Sequence, residues 1–245
     1  MGEFFHQVIY LPIYNTLVFF MDVVPGGDLG LAVVGATLVV KLVLLPLSLS
    51  AVKTQKQMKV IQPELKALQE KYKNDKEAQA REMLALYKTH GIKPFSSILM
   101  LFIQLPVLFA LFFVAQHASQ AINSEYLYSF VAFPEVVSPL FLGFFSVAGS
   151  SIALALAAGA TQFAYAVYAV PVPPKAAPGT TPSMGEEFGR AMAMNMRTIF
   201  PLLIAGFAYT SGVIALYIAT SNLFMLAQEA FTRLVHKEPI LPTVS

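Results

Sequence analysis

Apolar and polar positions divide this chain into long uncharged runs around one strongly charged block. Residues 29–52, LGLAVVGATLVVKLVLLPLSLSAV, form an apolar run whose single charge is Lys41. At about 1.5 Å per residue they reach roughly 36 Å, enough to cross a bilayer. Further apolar runs at 95–117, 137–169, 198–209 and 212–232 predict four more spans. The third is rich in Ala and Gly after Phe145. The fourth is short for a span unless its helix starts near Ala191, and a tight turn at Thr210-Ser211-Gly212 joins it to the fifth. Residues 3–22 are apolar but interrupted by His6, Gln7, Pro12 and Asn15. That pattern predicts an amphipathic helix lying in the membrane interface, with a sixth span as the alternative. Pro25, Gly26, Gly27 and Asp28 read as the turn that closes this opening segment, 1–28.

Residues 53–94 change character, with ten Lys/Arg against five Asp/Glu, a net charge of +5. Met58, Ile61, Leu65, Leu68 and Tyr72 recur at spacings of three and four, as do Ala80, Met83 and Tyr87. Two amphipathic helices follow, with Lys73-Asn74-Asp75 as their turn. The expectation is a charged helical hairpin outside the membrane.

The basic residues orient the whole. The hairpin, the Pro/Gly-rich segment 170–197 (with Lys175, Arg190 and Arg197) and the tail 233–245 (with Arg233 and Lys237) carry Lys or Arg. The loop 118–136 carries only Glu125 and Glu135, and the turn between the last two spans carries no charge. Basic loops stay in the cytoplasm. Five spans therefore put the N-terminus and loop 118–136 outside, and the hairpin, 170–197 and the tail inside. A sixth span would move only the N-terminus.

Composition agrees with lipid as the solvent. The chain is 56% hydrophobic and 12% charged, about half the charge of an ordinary soluble domain. Mean hydropathy is +0.64. The fold class expected is all-α, a polytopic membrane protein of five helices with an interfacial helix and a cytoplasmic hairpin. Absence of cysteine excludes disulfides and thiolate chemistry. The first 25 residues lack a basic n-region and a small-residue cleavage site, so no cleavable signal peptide is expected. No Walker-type glycine loop or HExxH occurs, and the histidines at 6, 90, 117 and 236 are too scattered for a metal site. Neither an enzymatic centre nor a cofactor nor a metal is expected. The basic hairpin reads as a cytoplasmic coiled coil rather than a DNA-binding element.

Lys41 is the central clue. It lies about twelve residues from either end of its span, roughly 18 Å of helix rise, too far for its stem to reach the interface easily. An ammonium facing lipid costs a few kcal/mol on insertion scales. No Asp or Glu falls within the five spans before Glu229. This points to a water-filled cavity inside the bilayer, with a deprotonated lysine or an off-centre register as the alternatives, and the missing carboxylates weigh against a proton or cation transporter, which places them there. Gln104, Gln162, Thr220, Ser221, Asn222 and Gln228 are the other polar side chains of interest in the spans. Each is read either as an interhelical hydrogen-bonding residue or as part of one hydrophilic surface with Lys41.

Several segments resemble the YidC-type membrane protein insertases, the family that includes the Oxa and Alb relatives. They are Tyr10-Leu-Pro-Ile-Tyr14-Asn-Thr-Leu; Gly30-Leu-Ala-Val-Val leading into Lys41-Leu-Val-Leu-Leu-Pro46-Leu-Ser48; and Gln62-Pro63-Glu64 opening the hairpin. Gln104-Leu-Pro106-Val and Leu216-Tyr217 with Ser221-Asn222-Leu-Phe and Gln228 complete the set. The resemblance covers nearly the whole chain, with the pieces in order. It implies a five-helix core with a hydrophilic groove open to cytoplasm and lipid but closed toward the outside. It also implies insertion of nascent membrane proteins, alone or beside the Sec translocon, by a monomer in the bacterial plasma (inner) membrane. Ribosome docking would fall to the hairpin and short tail. The family's groove charge is usually arginine; Lys41 takes that position here, and lysine is a point donor rather than a planar fork. The fifth span offers Ser211-Gly212 in place of Pro-x-Gly, and Ile218 where an aromatic is common. Groove residues implied are Lys41, Gln104, Gln162, Thr220, Ser221, Asn222 and Gln228. The competing readings are a small anion transporter or channel with Lys41 at its site, and a structural subunit of a larger complex.

Overall fold

In the computed structural model, residues 3–92, 95–118, 122–169, 172 and 184–235 are described. Two units make up the chain: residues 1–41 with 110–245, and residues 42–109.

The first unit opens with α1 (Glu3–Phe5), a π-helical turn (His6–Tyr10) and α2 (Leu11–Val23) in one continuous helical run. Pro12 falls inside this run and has no N–H to offer the preceding turn, and the π-helical turn lies directly before it. The run Glu3–Val23 is long and apolar enough to cross a membrane by length and composition. Its middle is bonded to the loop at 122–128. Asn15 donates to the Tyr126 carbonyl (2.8 Å) and accepts from the Tyr128 N–H, while the Tyr14 hydroxyl accepts from the Asn123 N–H (2.7 Å). His6, Tyr10 and Tyr14 stack around Tyr126.

After a 3-10 turn (Pro25–Gly27), α3 (Leu29–Val43) begins. Asp28 caps it: one carboxylate oxygen accepts from the Leu31 N–H (2.8 Å), the other from the Leu142 N–H (2.7 Å). Gly27 has φ +62, and a Cβ there would lie 1.9 Å from the Val136 carbonyl oxygen, so no other residue fits.

The second unit holds α4 (Leu45–Val60), α5 (Gln62–Lys71), α6 (Lys76–Thr89) and the first part of α7 (Phe95–Ala118). The run expected as one span at 29–52 is interrupted at Leu44, and α4 continues to Val60. Pro46 in the first turn of α4 has no N–H for the preceding turn, which is why a helix restarts there. Turn residues 72–75 join α5 to α6, where Asp75 accepts from the Ala78 N–H (2.9 Å) as N-cap. Ile61, Leu65 and Ile92 form a small core with Met58, Met83, Leu86 and Tyr87 against it. At the end of α6, Gly91 at φ +62 lets the Ile92 N–H reach the Tyr87 carbonyl (2.8 Å), a Schellman closure that seats Ile92 in that core.

The first unit resumes with the end of α7, a 3-10 turn (Ser124–Tyr126), a two-stranded hairpin of β1 (Leu140–Phe141) and β2 (Phe145–Ser146), then α8 (Ile152–Ala169), α9 (Met184–Ala208) and α10 (Gly212–Val235). Two expectations need correcting. The apolar run 137–169 is not one helix: its first part is the hairpin, and only Ile152–Ala169 is helical. Hydropathy alone could not separate them, but Pro139, Gly143 and Gly149 supply the turn chemistry a helix avoids. The fourth helix starts at Met184 rather than 198, so part of the segment taken as linker is helix and the span has ample length. Glu3–Val23, Ile152–Ala169, Glu187–Ala208 and Gly212–Leu234 each qualify as a span among the described residues. Leu29–Val43 with Leu45–Met58 qualifies as one broken span, and Phe102–Gln116 is a shorter apolar helix.

Packing is closest among the last three helices. Gly159 on α8 faces α9 so tightly that a Cβ would lie 2.8 Å from Ala205 Cβ and 3.2 Å from the Pro201 carbonyl oxygen, the small-residue contact that membrane helices use.

Because Asp28 serves both α3 and the hairpin, Asp28→Ala is expected to cost about 1–3 kcal/mol. Asp28→Asn, which keeps an acceptor for the cap, is expected to cost less. Thermal unfolding of the purified variants in detergent, followed by circular dichroism, checks the order.

Candidate functional site

One end of the first unit is closed by its loops. The Leu29 N–H bonds the Ser138 carbonyl (3.0 Å), the Val147 N–H bonds the Pro139 carbonyl (3.0 Å), and the Gly212 N–H bonds the Gly149 carbonyl (2.8 Å). Val147 and Leu29 are fully buried. A cavity of ≈ 90 Å³ within this layer is lined by Leu29, Ala115, Gln116, Val147, Ala148, Ser211 and Val213. The starts of α3, α8 and α10 therefore lie in one layer, and all three helices run away from it.

That common origin sets the depth of the polar side chains. Lys41 on α3, Gln162 on α8, and Ser221, Asn222 and Gln228 on α10 lie ten to seventeen residues past their caps, about 15–25 Å below the closed layer. All are buried: Lys41 is 5% exposed, Gln162 8%, Thr220 8%, Ser221 5%, Asn222 6% and Gln228 8%. These six belong to the first unit. Gln104 belongs to the second, where it is half-buried on α7.

α10 carries most of its polar residues on two faces, with Thr220 on neither. Tyr217, Ser221, Gln228 and Thr232 fall within about 60° of one another at 100° per residue. Asn222, Glu229 and Arg233 occupy another sector, about 40° wide. This second sector is occupied by contacts to α8. Asn222 Nδ2 donates to Thr161 Oγ1 (3.4 Å), and Arg233 Nη2 donates to the Tyr168 carbonyl (2.8 Å). The Arg233 guanidinium also lies 4.2 Å from the Tyr168 ring centroid and is held by Glu229 (2.9 Å). On the first sector the Ser221 hydroxyl is buried and finds no hydrogen-bond partner among the described residues. A buried hydroxyl left so marks a place for ordered water. Asn222 is thus an interhelical bond, whereas Ser221 is available to a wet surface.

Sequence reasoning missed Thr37 and Thr232, both buried, whose hydroxyls bond back to the Val33 and Gln228 carbonyls. Each lies four residues from a residue already singled out, Lys41 or Gln228, so helical spacing could have found them. It also missed how α8 ends. Arg197 from α9 donates to the Val167 carbonyl (3.1 Å) and Arg233 from α10 to that of Tyr168. Two guanidiniums thereby satisfy carbonyls that a helix C-terminus leaves open, at the negative end of its dipole. No local signal announces a cap supplied by other helices.

Helices closed at one end, with a buried cation and amide and hydroxyl side chains at mid-depth, define a polytopic helical membrane protein with a polar interior. Comparison with known proteins makes this specific. The family model described as 60Kd inner membrane protein matches residues 19–238. The membrane protein insertase YidC of Clostridium tetani is 30% identical over 210 residues, covering 85% of this chain and 83% of that protein. The chain belongs to this family of multi-pass inner-membrane proteins. YidC of Geobacter sulfurreducens is 40% identical over 101 residues, 41% of this chain and 19% of that protein. YidC of Lawsonia intracellularis is 28% identical over 223 residues, covering 91% and 38%. A solved structure of an active YidC insertase, with its first transmembrane domain resolved, shares the fold at TM-score 0.58 and 24% identity, covering 94% of this chain and 47% of that one. The chain thus spans most of the Clostridium tetani relative but less than half of the other three.

The two faces of α10 predict different mutational costs. Asn222→Ala is expected to destabilise by about 0.6–1.7 kcal/mol, the range of interhelical hydrogen bonds in membranes. Ser221→Ala is expected to change stability by less than about 0.5 kcal/mol, since it removes no protein partner. Unfolding of the two variants by titrated denaturing detergent separates them.

Proposed function

We propose that this protein inserts other membrane proteins into the bilayer and assists their folding, through a hydrophilic intramembrane groove that includes Lys41. The observation that carries the reading is Lys41 itself: a cation 5% exposed in a membrane helix, below a layer of loops that closes one end. Gln162, Thr220, Ser221 and Gln228, buried in the same unit, are the proposed polar lining. Family membership and the names of the relatives support the same activity.

The proposed mechanism is physical rather than covalent. A segment entering the bilayer must bring polar flanks across an apolar barrier. A groove with water and a cation lowers that desolvation cost and shortens the dry distance. The ammonium attracts acidic residues in a translocated tail. The apolar segment then leaves sideways into lipid. The proposed orientation puts loop 118–136 outside and the hairpin and C-terminus in the cytoplasm, following the basic residues. The N-terminal helix is proposed to lie along the outer interface, because its middle, at Tyr14 and Asn15, bonds to loop residues 123–128. The hairpin is proposed to receive substrate from ribosome or Sec translocon, its charge of +5 favouring ribosomal RNA or anionic lipid.

In a depletion–complementation assay Lys41→Arg is expected to retain insertion. Lys41→Ala is expected to slow substrates with acidic translocated tails by roughly tenfold, the factor that about 1.4 kcal/mol of lost attraction carries. Full activity of both Lys41→Ala and Lys41→Glu on such substrates would sink the attraction step. Solute flux through the pure protein in liposomes would instead favour a transporter.

Deleting residues 65–90 is expected to weaken delivery while leaving the membrane helices folded. Unchanged insertion of every substrate by that variant would remove the hairpin from the mechanism.

A further inference from the structure

The hairpin at 140–146 is apolar where a surface turn should be polar. Its strands pair Leu140 with Ser146 and Phe141 with Phe145, leaving Leu142, Gly143 and Phe144 as a three-residue tip. Leu142 is 52% exposed and Phe144 84%. Leu142 also has φ +54, a left-handed conformation that Gly or Asn adopts cheaply and leucine does not. A leucine kept at such a position points to a use for its side chain.

The surroundings identify what covers the tip. No charged residue or histidine occurs from Val136 to Pro174. The Leu142 N–H is bonded to Asp28, at the start of membrane helix α3, and Val147 packs against Gly212, at the start of α10. The hairpin therefore sits at the level where membrane helices begin. α8, which follows it, has 18 residues, about 27 Å against a hydrocarbon core of roughly 30 Å. Its first residue, Ile152, is 66% exposed, so apolar surface continues toward this edge. The backbone is also prepared for an apolar setting. The Leu142 N–H bonds a carboxylate, the Phe144 N–H bonds the Phe141 carbonyl, and the Val147 N–H bonds the Pro139 carbonyl. These three bonds leave fewer backbone groups to desolvate at the membrane interface.

We propose that the Leu142–Phe144 tip is a lipid anchor that inserts into the phospholipid leaflet on the closed side of the first unit. Its occupants are the glycerol and upper acyl region, with Leu142 and Phe144 as the inserted side chains. The anchor fixes the height of the closed layer against the bilayer, and hence the depth at which the polar interior begins. This surface is separate from the insertase reading and stands or falls without it.

The chain contains no tryptophan and no cysteine, so one introduced tryptophan reports alone. Full-length Phe144→Trp is reconstituted in phosphatidylcholine/phosphatidylglycerol vesicles, with Glu125→Trp, on an exposed turn of the preceding loop, as the reference. Phe144→Trp is expected to show blue-shifted emission, loss of intensity with lipids brominated high on the acyl chain, and protection from aqueous iodide. Glu125→Trp is expected to show the reverse. Iodide quenching of Phe144→Trp equal to that of the reference, without quenching by brominated lipid, would overturn the anchor. Protection from both quenchers would overturn it too, because the tip would then be covered by protein.

Discussion

Lipid offers no hydrogen bond to a helix end, and the closed side of this protein is organised by that constraint. Asp28 answers it for α3, capping Leu31 while holding Leu142 on the hairpin. The same layer gives the Gly212 N–H a partner at Gly149 and ties the N-terminal helix to Asn123, Tyr126 and Tyr128. Three helices then start at one level. The mid-depth positions of Lys41, Gln162, Ser221 and Gln228 follow from counting 1.5 Å per residue from that level.

The opposite end of α8 is built from the complementary chemistry. Its last carbonyls receive Arg197 and Arg233 rather than solvent. Cations suit that end because the helix dipole is negative there. Arg233 thus ties α10 to α8 twice, through the Tyr168 carbonyl and the Tyr168 ring. Gly159 completes the bundle by letting α9 approach α8 to within contact of its backbone. Polar bonds at the termini and small residues between them hold the bundle, and within it the Ser221 hydroxyl on α10 finds no partner among the described residues.

A membrane protein of helices around one intramembrane charge was legible in the sequence, because hydropathy and a lone Lys41 are properties of the chain itself. So were the two amphipathic helices of the charged hairpin with their turn at Lys73-Asn74-Asp75, through periodicity and turn residues, and the residues that carried the family resemblance. The apolar run 137–169 was not legible correctly. Hydropathy measures affinity for lipid or core, and a hairpin at the membrane edge satisfies it as well as a helix does. Where the fourth helix begins was equally hidden, since Pro- and Gly-rich residues before Met184 blur a boundary that packing decides.

Periodicity could place Asn222 and Ser221 on α10, and only the tertiary structure gave them different fates. Asn222 meets Thr161 because α8 lies against that sector; Ser221 turns to another and finds no protein partner. Likewise the sequence by itself placed Lys41 inside an apolar run, while the structure puts it in the last turn of α3, beside the break at Leu44. That its depth matches Gln162 and Gln228 was decided by the layer that aligns three helix starts, through bonds between residues as far apart as 28 and 142. Such contacts depend on how the chain returns on itself, and no local pattern encodes them.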